Sequence, residues 1–427
     1  MSLKARASAK RALEPNGVTT DPIDKAKRVK SNPHPPAIHQ TLLDALYSQS
    51  NIVKIWTVAR KSLGSVSPQS CTPNTQRDTH DVGFMIAPWA QKAWSLHRDP
   101  KAYSSLILAA NSLASRFDAR VQSLRSWDIC HTKLYSFSDP SKDFLVIIDN
   151  MLNLDLLFWA ARETGDRSLH EKAVAHARTT ARYHVRADKS TLHVVNYDTT
   201  TGKPKTTFTH QGYSNDSCWS RGQAWGILGF MQTWQWKHEE EFLNTARELA
   251  DYFLSRLPED KVPYWDFDAP VDGKTPRDTS AGMVAACGLV MLYQALKEQD
   301  RDEVAAGDYL QSALEILEGT VKGFMTPDVG EFGVDLQGTE FDTCPEDEVL
   351  RQPGTLVVSP SDRTIDVNGN SNGSHAVRIP ETILDGATVC NYEFASRRWA
   401  DHGLVYADYY FLLLGNMLLE MGLVISI

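Results

Sequence analysis

The sequence predicts an all-α protein, a toroid of helical hairpins, on three observations. Apolar residues recur at helical spacing in most long stretches from residue 82 onward. Four such stretches open on a polar residue, Asp81, Asp149, Ser220 and Ser280. Their spacing of roughly 60–70 residues fits a large helical hairpin with its loops. Alternating apolar and polar text is confined to LHVVNYDTTTGKPKTTF, residues 192–208, which predicts one short β-hairpin. If the four helix starts lie at one end of the toroid, their polar residues share a mouth, with Asp81 and Asp149 in it.

Taken in order, residues 1–36 are basic, polar and proline-containing, and are expected to form a disordered tail ahead of a single domain over 37–427. An outer helix is expected over about 38–60, then a loop over 62–78 rich in Ser, Thr and Pro. Val82, Met85, Trp89 and Trp94 mark the expected buried face of the helix at 82–97. A second helix follows at about 101–119, then a polar, aromatic loop at 125–144. The helix after Asp149 should stop at Gly165, and an outer helix should fill about 168–186. Further helices are expected from Ser220, which can act as a cap, and at about 239–256, 280–298 and 303–321. Residues 323–403 have no long helical period, and a segment of that length inside a domain usually carries function. The last helix, in GLVYADYYFLLLGNMLLEMGL, is apolar all round, as suits an inner position.

The formal net charge of −9 argues against nucleic acid and anionic membrane as partners. No run reads as long and apolar enough to span a membrane, and with no visible signal peptide the expectation is a cytoplasmic protein. The six cysteines have neither zinc-site nor disulfide-framework spacing. The eleven tryptophans suit either a large helical core or stacking on sugar rings. Asp81 and Asp149 could simply be N-caps. His80 beside Asp81, Asn150 beside Asp149, and the aromatic, amide-rich loops nearby favour a site instead. Two effects oppose each other there: a helix N-terminus favours the carboxylate, whereas two close carboxylates raise one pKa. Arg221 lies where a cation opposes the helix dipole, so it should grip either a bound carboxylate or one of the site acids. His193 and Gln211 fall in the same mouth loops.

DTHDVGF, IIDNMLNLDLLFWAARETGD, LHVVNYD, HQGYSNDSCWSRGQAWGILGF, PYWDFDAP, DTSAG and ADYYFLLL together resemble glycoside hydrolase family 88, the unsaturated glucuronyl hydrolases. Family 105, the unsaturated rhamnogalacturonyl hydrolases, is the near relative. The resemblance implies an (α/α)6 barrel that removes a non-reducing-end 4,5-unsaturated uronic acid from lyase-generated oligosaccharides. The chemistry implied is hydration of a vinyl ether rather than two-carboxylate glycosidase chemistry. It makes Asp149 the general acid and base and Asp81 the charge stabiliser. His80, His193, Gln211, Trp219, Arg221 and Trp225 would line the substrate, with no metal or organic cofactor. Ser371 and Ser374 are candidates for the family's serines near a substrate sulfate. One departure matters. The family's first inner helix and the outer helix after it have no counterpart near residues 61–79, so five inner helices are expected rather than six. A degenerate sugar-binding protein is the alternative that this shortfall suggests.

Overall fold

The computed structural model describes residues 79–326 and 382–423, with the backbone of three short strands between them. The expected tail at 1–36, the shortfall near 61–79, and Ser371 and Ser374 lie outside the described residues. Those described belong to one compact unit, Ile38–Ile427.

Four hairpins and a final helix make up the helical part. They are α1 (Val82–His97) with α2 (Pro100–Ala114), and α3 (Leu154–Thr164) with α4 (Arg167–Tyr183). Then come α5 (Ser220–Lys237) with α6 (Glu240–Ser255), α7 (Thr279–Glu298) with α8 (Glu303–Phe324), and α9 (Val405–Glu420). Helices α1, α3, α5, α7 and α9 form the inner layer in that order, each packed on the next directly or through the turn that leads into it. Helices α2, α4, α6 and α8 form the outer layer. Among the described residues there are thus five inner and four outer helices, the architecture of an α/α toroid.

Local chemistry explains most boundaries. Asp99 accepts from the Lys101 N–H with Pro100 at the first helical position, and Asp166 accepts from the Ser168 N–H. Asp278 caps α7 by accepting from Ser280 and Ala281. Gly165 ends α3 at φ 75°, where a side chain would be strained. Ser220 does not cap α5. Its hydroxyl donates to the Trp265 carbonyl, and Trp219 takes the cap position.

The inner layer is packed closely because its contact residues are small. A Cβ at Gly288 in α7 would fall 2.7 Å from Ile227 of α5, and one at Gly229 in α5 would fall 2.5 Å from Met151. One expectation fails here. On α1 the buried face is Val82, Gly83, Ile86 and Ala90, whereas Met85 and Trp89 are exposed. A second also fails. Helix α7 is long and apolar enough to cross a membrane by composition, yet 89% of that window is buried inside the protein, as in a core helix.

The expected β-hairpin is present as β2 (Val194–Asp198) and β3 (Pro204–Phe208). A strand the sequence did not announce, β1 (Asp143–Ile147), pairs antiparallel with β2, from Asp143 opposite Asp198 to Ile147 opposite Val194. The strands at 331–332, 356–358 and 363–365 form a second three-stranded sheet within the stretch expected to be irregular. Its last part, Thr382–Gly403, returns to the inner helices. Asp408 on α9 accepts from the Ile383 and Leu384 N–H groups.

Candidate active site

Strand β1 delivers Asp149 to its place. It runs straight into a 3-10 helix, Ile148–Asn153, and only then into α3. Asp149 is therefore the second residue of a tight turn, not the cap of a long helix. Asp81 does occupy the N-cap position of α1, but its backbone is helical and its side chain makes no capping bond. Neither acid is accounted for as a cap.

Two features bring the turns together. Gly83, two residues beyond Asp81, lies against Asn153, four beyond Asp149; a Cβ on Gly83 would overlap the Asn153 amide oxygen. Ser126 ties the turns from behind. Its carbonyl accepts from the His80 N–H at 3.2 Å, and its hydroxyl accepts from the Ile147 N–H at 2.9 Å and Asn150 Nδ2 at 3.2 Å. Ser126 and its neighbour Trp127, which bridges Thr79 on one side and Leu145 on the other, carry no signal in the sequence that marks them as the hub.

The two acids differ in surroundings. Asp149 is partly buried, and its Oδ1 is enclosed without a hydrogen-bond partner. Burial pushes its carboxyl up to about 7, and the charge of Asp81 adds to the rise, while the Arg221 guanidinium opposes it. The Trp225 indole lies near enough to favour the anion, without full hydrogen-bond geometry. Asp81 is open to water, with 55% of its side chain exposed. Thr79 Oγ1 donates to its Oδ2 at 2.8 Å, and His80 Nε2 lies 3.4 Å from its Oδ1. His80 itself is buried, and that burial outweighs Asp81 in pulling its imidazole below the ordinary histidine range.

The aromatic candidates gather around Trp127. Its ring lies 6.4 Å from His80, 6.2 Å from His193 and 5.2 Å from His210. The His210 backbone N–H donates to His193 Nδ1 at 3.1 Å, so Nδ1 is the acceptor and Nε2 carries the proton. That Nε2 is buried with no partner. Burial, more than the nearby His210 and Arg221, keeps the His193 ring neutral. Trp219 is sandwiched between His193 at 4.5 Å and the Arg221 guanidinium at 4.6 Å. Trp225 packs between Phe84 and Tyr410, both at 5.4 Å. Tyr406 at the head of α9 also belongs to the group. Its phenol is 6.0 Å from Arg221 and feels the charges of Asp81 and Asp149.

Arg221 and Gln211 both reach the segment at 388–390. Arg221 is buried, and its Nη1 donates to Asp278 Oδ2 at 2.6 Å, Ser280 Oγ at 3.2 Å and the Thr388 carbonyl at 2.6 Å. Its Nη2 donates to the Val389 carbonyl at 2.8 Å. The ion pair is with Asp278, not with either site acid, and Nη1 is not free for a bidentate grip on a substrate carboxylate. Gln211 Nε2 likewise donates to the Val389 carbonyl, at 2.7 Å. Both side chains hold the 388–390 segment in place. Among the described residues, no group of His, Cys, Asp or Glu has the arrangement of a metal site.

Fold and site together define a helical toroid with an acid pair and an aromatic wall at the heads of its inner helices. No protein-family profile matches the chain. Individual relatives do. The chain is 38% identical over 252 residues to an unsaturated glucuronyl hydrolase from Formosa agariphila, covering 57% of this chain and 60% of the relative. It is 34% identical over 246 residues to an unsaturated chondroitin disaccharide hydrolase from Streptococcus pyogenes serotype M1, covering 58% and 60%. It is 35% identical over 254 residues to an unsaturated glucuronyl hydrolase from Bacillus sp. strain GL1, covering 60% and 65%. The chain thus spans about 60% of the length of the curated relatives it matches. Among solved structures, the Bacillus sp. GL1 unsaturated glucuronyl hydrolase aligns with TM-score 0.62 and 26% identity, over 90% of this chain and 87% of that one. An unsaturated glucuronyl hydrolase specific for heparin aligns with TM-score 0.60 and 28% identity, over 83% and 78%. The chain is a relative of the unsaturated glucuronyl hydrolases, as its motifs implied, and it shares their α/α toroid.

Proposed function

We propose that this protein removes a 4,5-unsaturated uronic acid from the non-reducing end of a lyase-generated oligosaccharide by hydrating its C4=C5 vinyl ether. The observation that carries the reading is the state of Asp149. A carboxyl poised near 7 can give a proton and take one back at neutral pH, as an acid–base catalyst must. Asp149 protonates C4, which leaves oxocarbenium character shared between C5 and the ring oxygen. Asp81, fixed by Thr79 and His80, has its charge felt at Asp149 and would oppose that positive charge. The ionised Asp149 then takes a proton from the water that adds to C5. The hemiketal so formed opens and releases the leaving sugar. His80, His193, Trp219 and Trp225 line the site, and the unpaired Nε2–H donor of His193 would orient the uronate. Arg221 and Gln211 hold the wall and line the same site beside His193 and Trp219.

The names of the relatives, glucuronyl and chondroitin disaccharide hydrolases, support this substrate class. The four described cysteines are free and buried, which suits a reducing compartment such as the cytoplasm. The test is loss of the C=C absorbance on adding an unsaturated chondroitin, hyaluronan or heparin disaccharide. Turnover that disappears in Asp149→Asn supports the reading; a folded protein inert towards all three sinks it.

A further inference from the structure

A cleft of about 530 Å³ runs along the outside of α4, and none of the residues gathered around Asp81 and Asp149 lines it. Arg167, His170, Arg178 and Arg182 come from α4, Lys237 is the last residue of α5, and Gln122 comes from the turn before residues 123–124. The α4 residues, with Val174 between them, follow one another at steps of three or four, so they share one face of the helix. Arg167 opens α4 and Arg182 is next to its last residue. At 1.5 Å per residue the two lie about 22 Å apart along the axis.

The charge in the cleft is one-sided. Four of its residues are Arg or Lys and one, Glu171, is acidic, in a chain whose formal net charge is −9. Two further carboxylates reach these cations from the head of α6. Arg178 donates through Nη2 to Glu239 at 2.7 Å and through Nε to Glu241 at 2.8 Å, and Lys237 Nζ lies 2.9 Å from Glu239. Neither glutamate lines the cleft. They tether Arg178 and Lys237 to α6. The two ends of the stripe are less committed. Arg182 is exposed, with no carboxylate at ion-pair distance among the described residues. Arg167 is 91% exposed and has Glu171 at 4.0 Å, the outer limit of an ion pair. His170 registers the excess of cations. Burial first, and then the charge of Lys237, holds its imidazole below the ordinary histidine range against the pull of Glu171 and Glu239. No Trp, Tyr or Phe lines the cleft, so it lacks the stacking faces that hold the bases of a single-stranded nucleic acid.

We propose that this cleft is a second binding site, for a linear saccharide bearing sulfate groups, laid along α4 with successive anions against Arg167, Arg178 and Arg182. A guanidinium fork meets an oxyanion with two N–H donors, and a row of forks along one helix face suits anions repeated along a chain better than a single ion. The choice of a saccharide rests on the hydrolase reading. The preference for a row of anions rests on the cleft alone.

The experiment titrates a saturated, sulfated chondroitin hexasaccharide, which has no C4=C5 bond to process, into wild type, the double variant Arg167→Ala/Arg182→Ala, and Glu171→Gln. Binding is read by calorimetry at low and raised salt, folding by thermal melting, and the active site by turnover of an unsaturated disaccharide. The double variant should bind about tenfold more weakly, the weight of two exposed charge contacts. Glu171→Gln should bind about two- to threefold more tightly, because a repelling carboxylate is gone. Wild-type affinity should fall as salt screens the contacts. Both variants should keep the wild-type kcat and KM on the disaccharide. No binding of the hexasaccharide to wild type, or unaltered binding in the folded double variant, overturns the proposal. Inorganic sulfate bound as tightly as the hexasaccharide overturns the row of anions, and a single-stranded oligonucleotide of equal charge bound more tightly overturns the saccharide. If wild type turns over no unsaturated disaccharide yet binds the hexasaccharide through Arg167 and Arg182, the hydrolase reading fails and the cleft stands.

Discussion

The turns that carry Asp81 and Asp149 are spelled alike and built differently. Each is an acid at the head of an inner segment, and a capping role would explain either. In the structure Asp81 is open to water and anchored by Thr79 and His80. Asp149 is drawn in by β1 and the 3-10 turn, and its Oδ1 has no partner. The difference lies in what surrounds the carboxyl, not in local sequence. An enclosed oxygen such as Asp149 Oδ1 suits a group that changes charge during a reaction.

The largest expected effect separates the acids by function. Asp149→Asn should lower kcat by about 10⁴-fold, the upper range for acid–base catalysis, because it removes both the proton donor and the group that later accepts one. Asp81→Asn keeps the shape and removes only a charge, so its loss should be on the order of 10²-fold. Equal losses in steady-state assays would erase the distinction between the turns.

Gly83→Ala probes their closeness without touching either acid. The added methyl must displace Asn153 and so shift one turn from the other. A drop in kcat of about tenfold to 10²-fold is expected from misplacement, with a stability cost of ~1–3 kcal/mol from overpacking. A variant with wild-type kcat would mean that the spacing is not used.

The smallest effects are on stability against pH, and here the Asp149 turn contrasts with the histidines behind it. Burial holds His176 down to about 3 and His184 down to about 4. Their folded values lie below the unfolded value of about 6.5. Their contribution is present above that value and lost as pH falls towards 4 and below. Asp149 has the opposite sign. Its folded value is raised to about 7, so its contribution is present below the unfolded value and lost as pH rises through 7. Melting temperature should therefore fall on acidification from pH ~6.5, with a flatter slope in His184→Gln. Asp149→Asn should gain on wild type between pH ~4 and ~7. A parallel pair of wild-type and Asp149→Asn curves would count against the raised carboxyl.

Much of the frame was legible because local chemistry sets it. The Asp99–Pro100 and Asp166 starts, the Gly165 stop and the helical periods place most of the helices to within a few residues. The β2–β3 hairpin followed from alternation and its TTTGK turn. Strand β1 was missed because DFLVI runs directly into helical text, and a short apolar run cannot be assigned by period alone. The face of α1 was misread because two stripes share Val82. Bulk favours Met85 and Trp89, but close packing of inner helices selects Gly83 and Ala90. At the site, the residues that assemble were named from motif text, whereas their partners were not. Arg221 reaches Asp278, Thr388 and Val389, 57 to 168 residues away, and Ser126 binds two turns it does not adjoin in sequence. Contacts of that range leave no local pattern.

Asp149 is poised to give and take a proton near neutral pH, with the charge of a second acid, Asp81, felt beside it. Its carboxyl carbon, assigned in a ¹³C-labelled protein by comparison with Asp149→Asn, can be titrated directly by NMR. A midpoint near 7 is the predicted result. A midpoint near the ordinary aspartate value of about 4 would contradict the account, because the group would then be an anion with no proton to give.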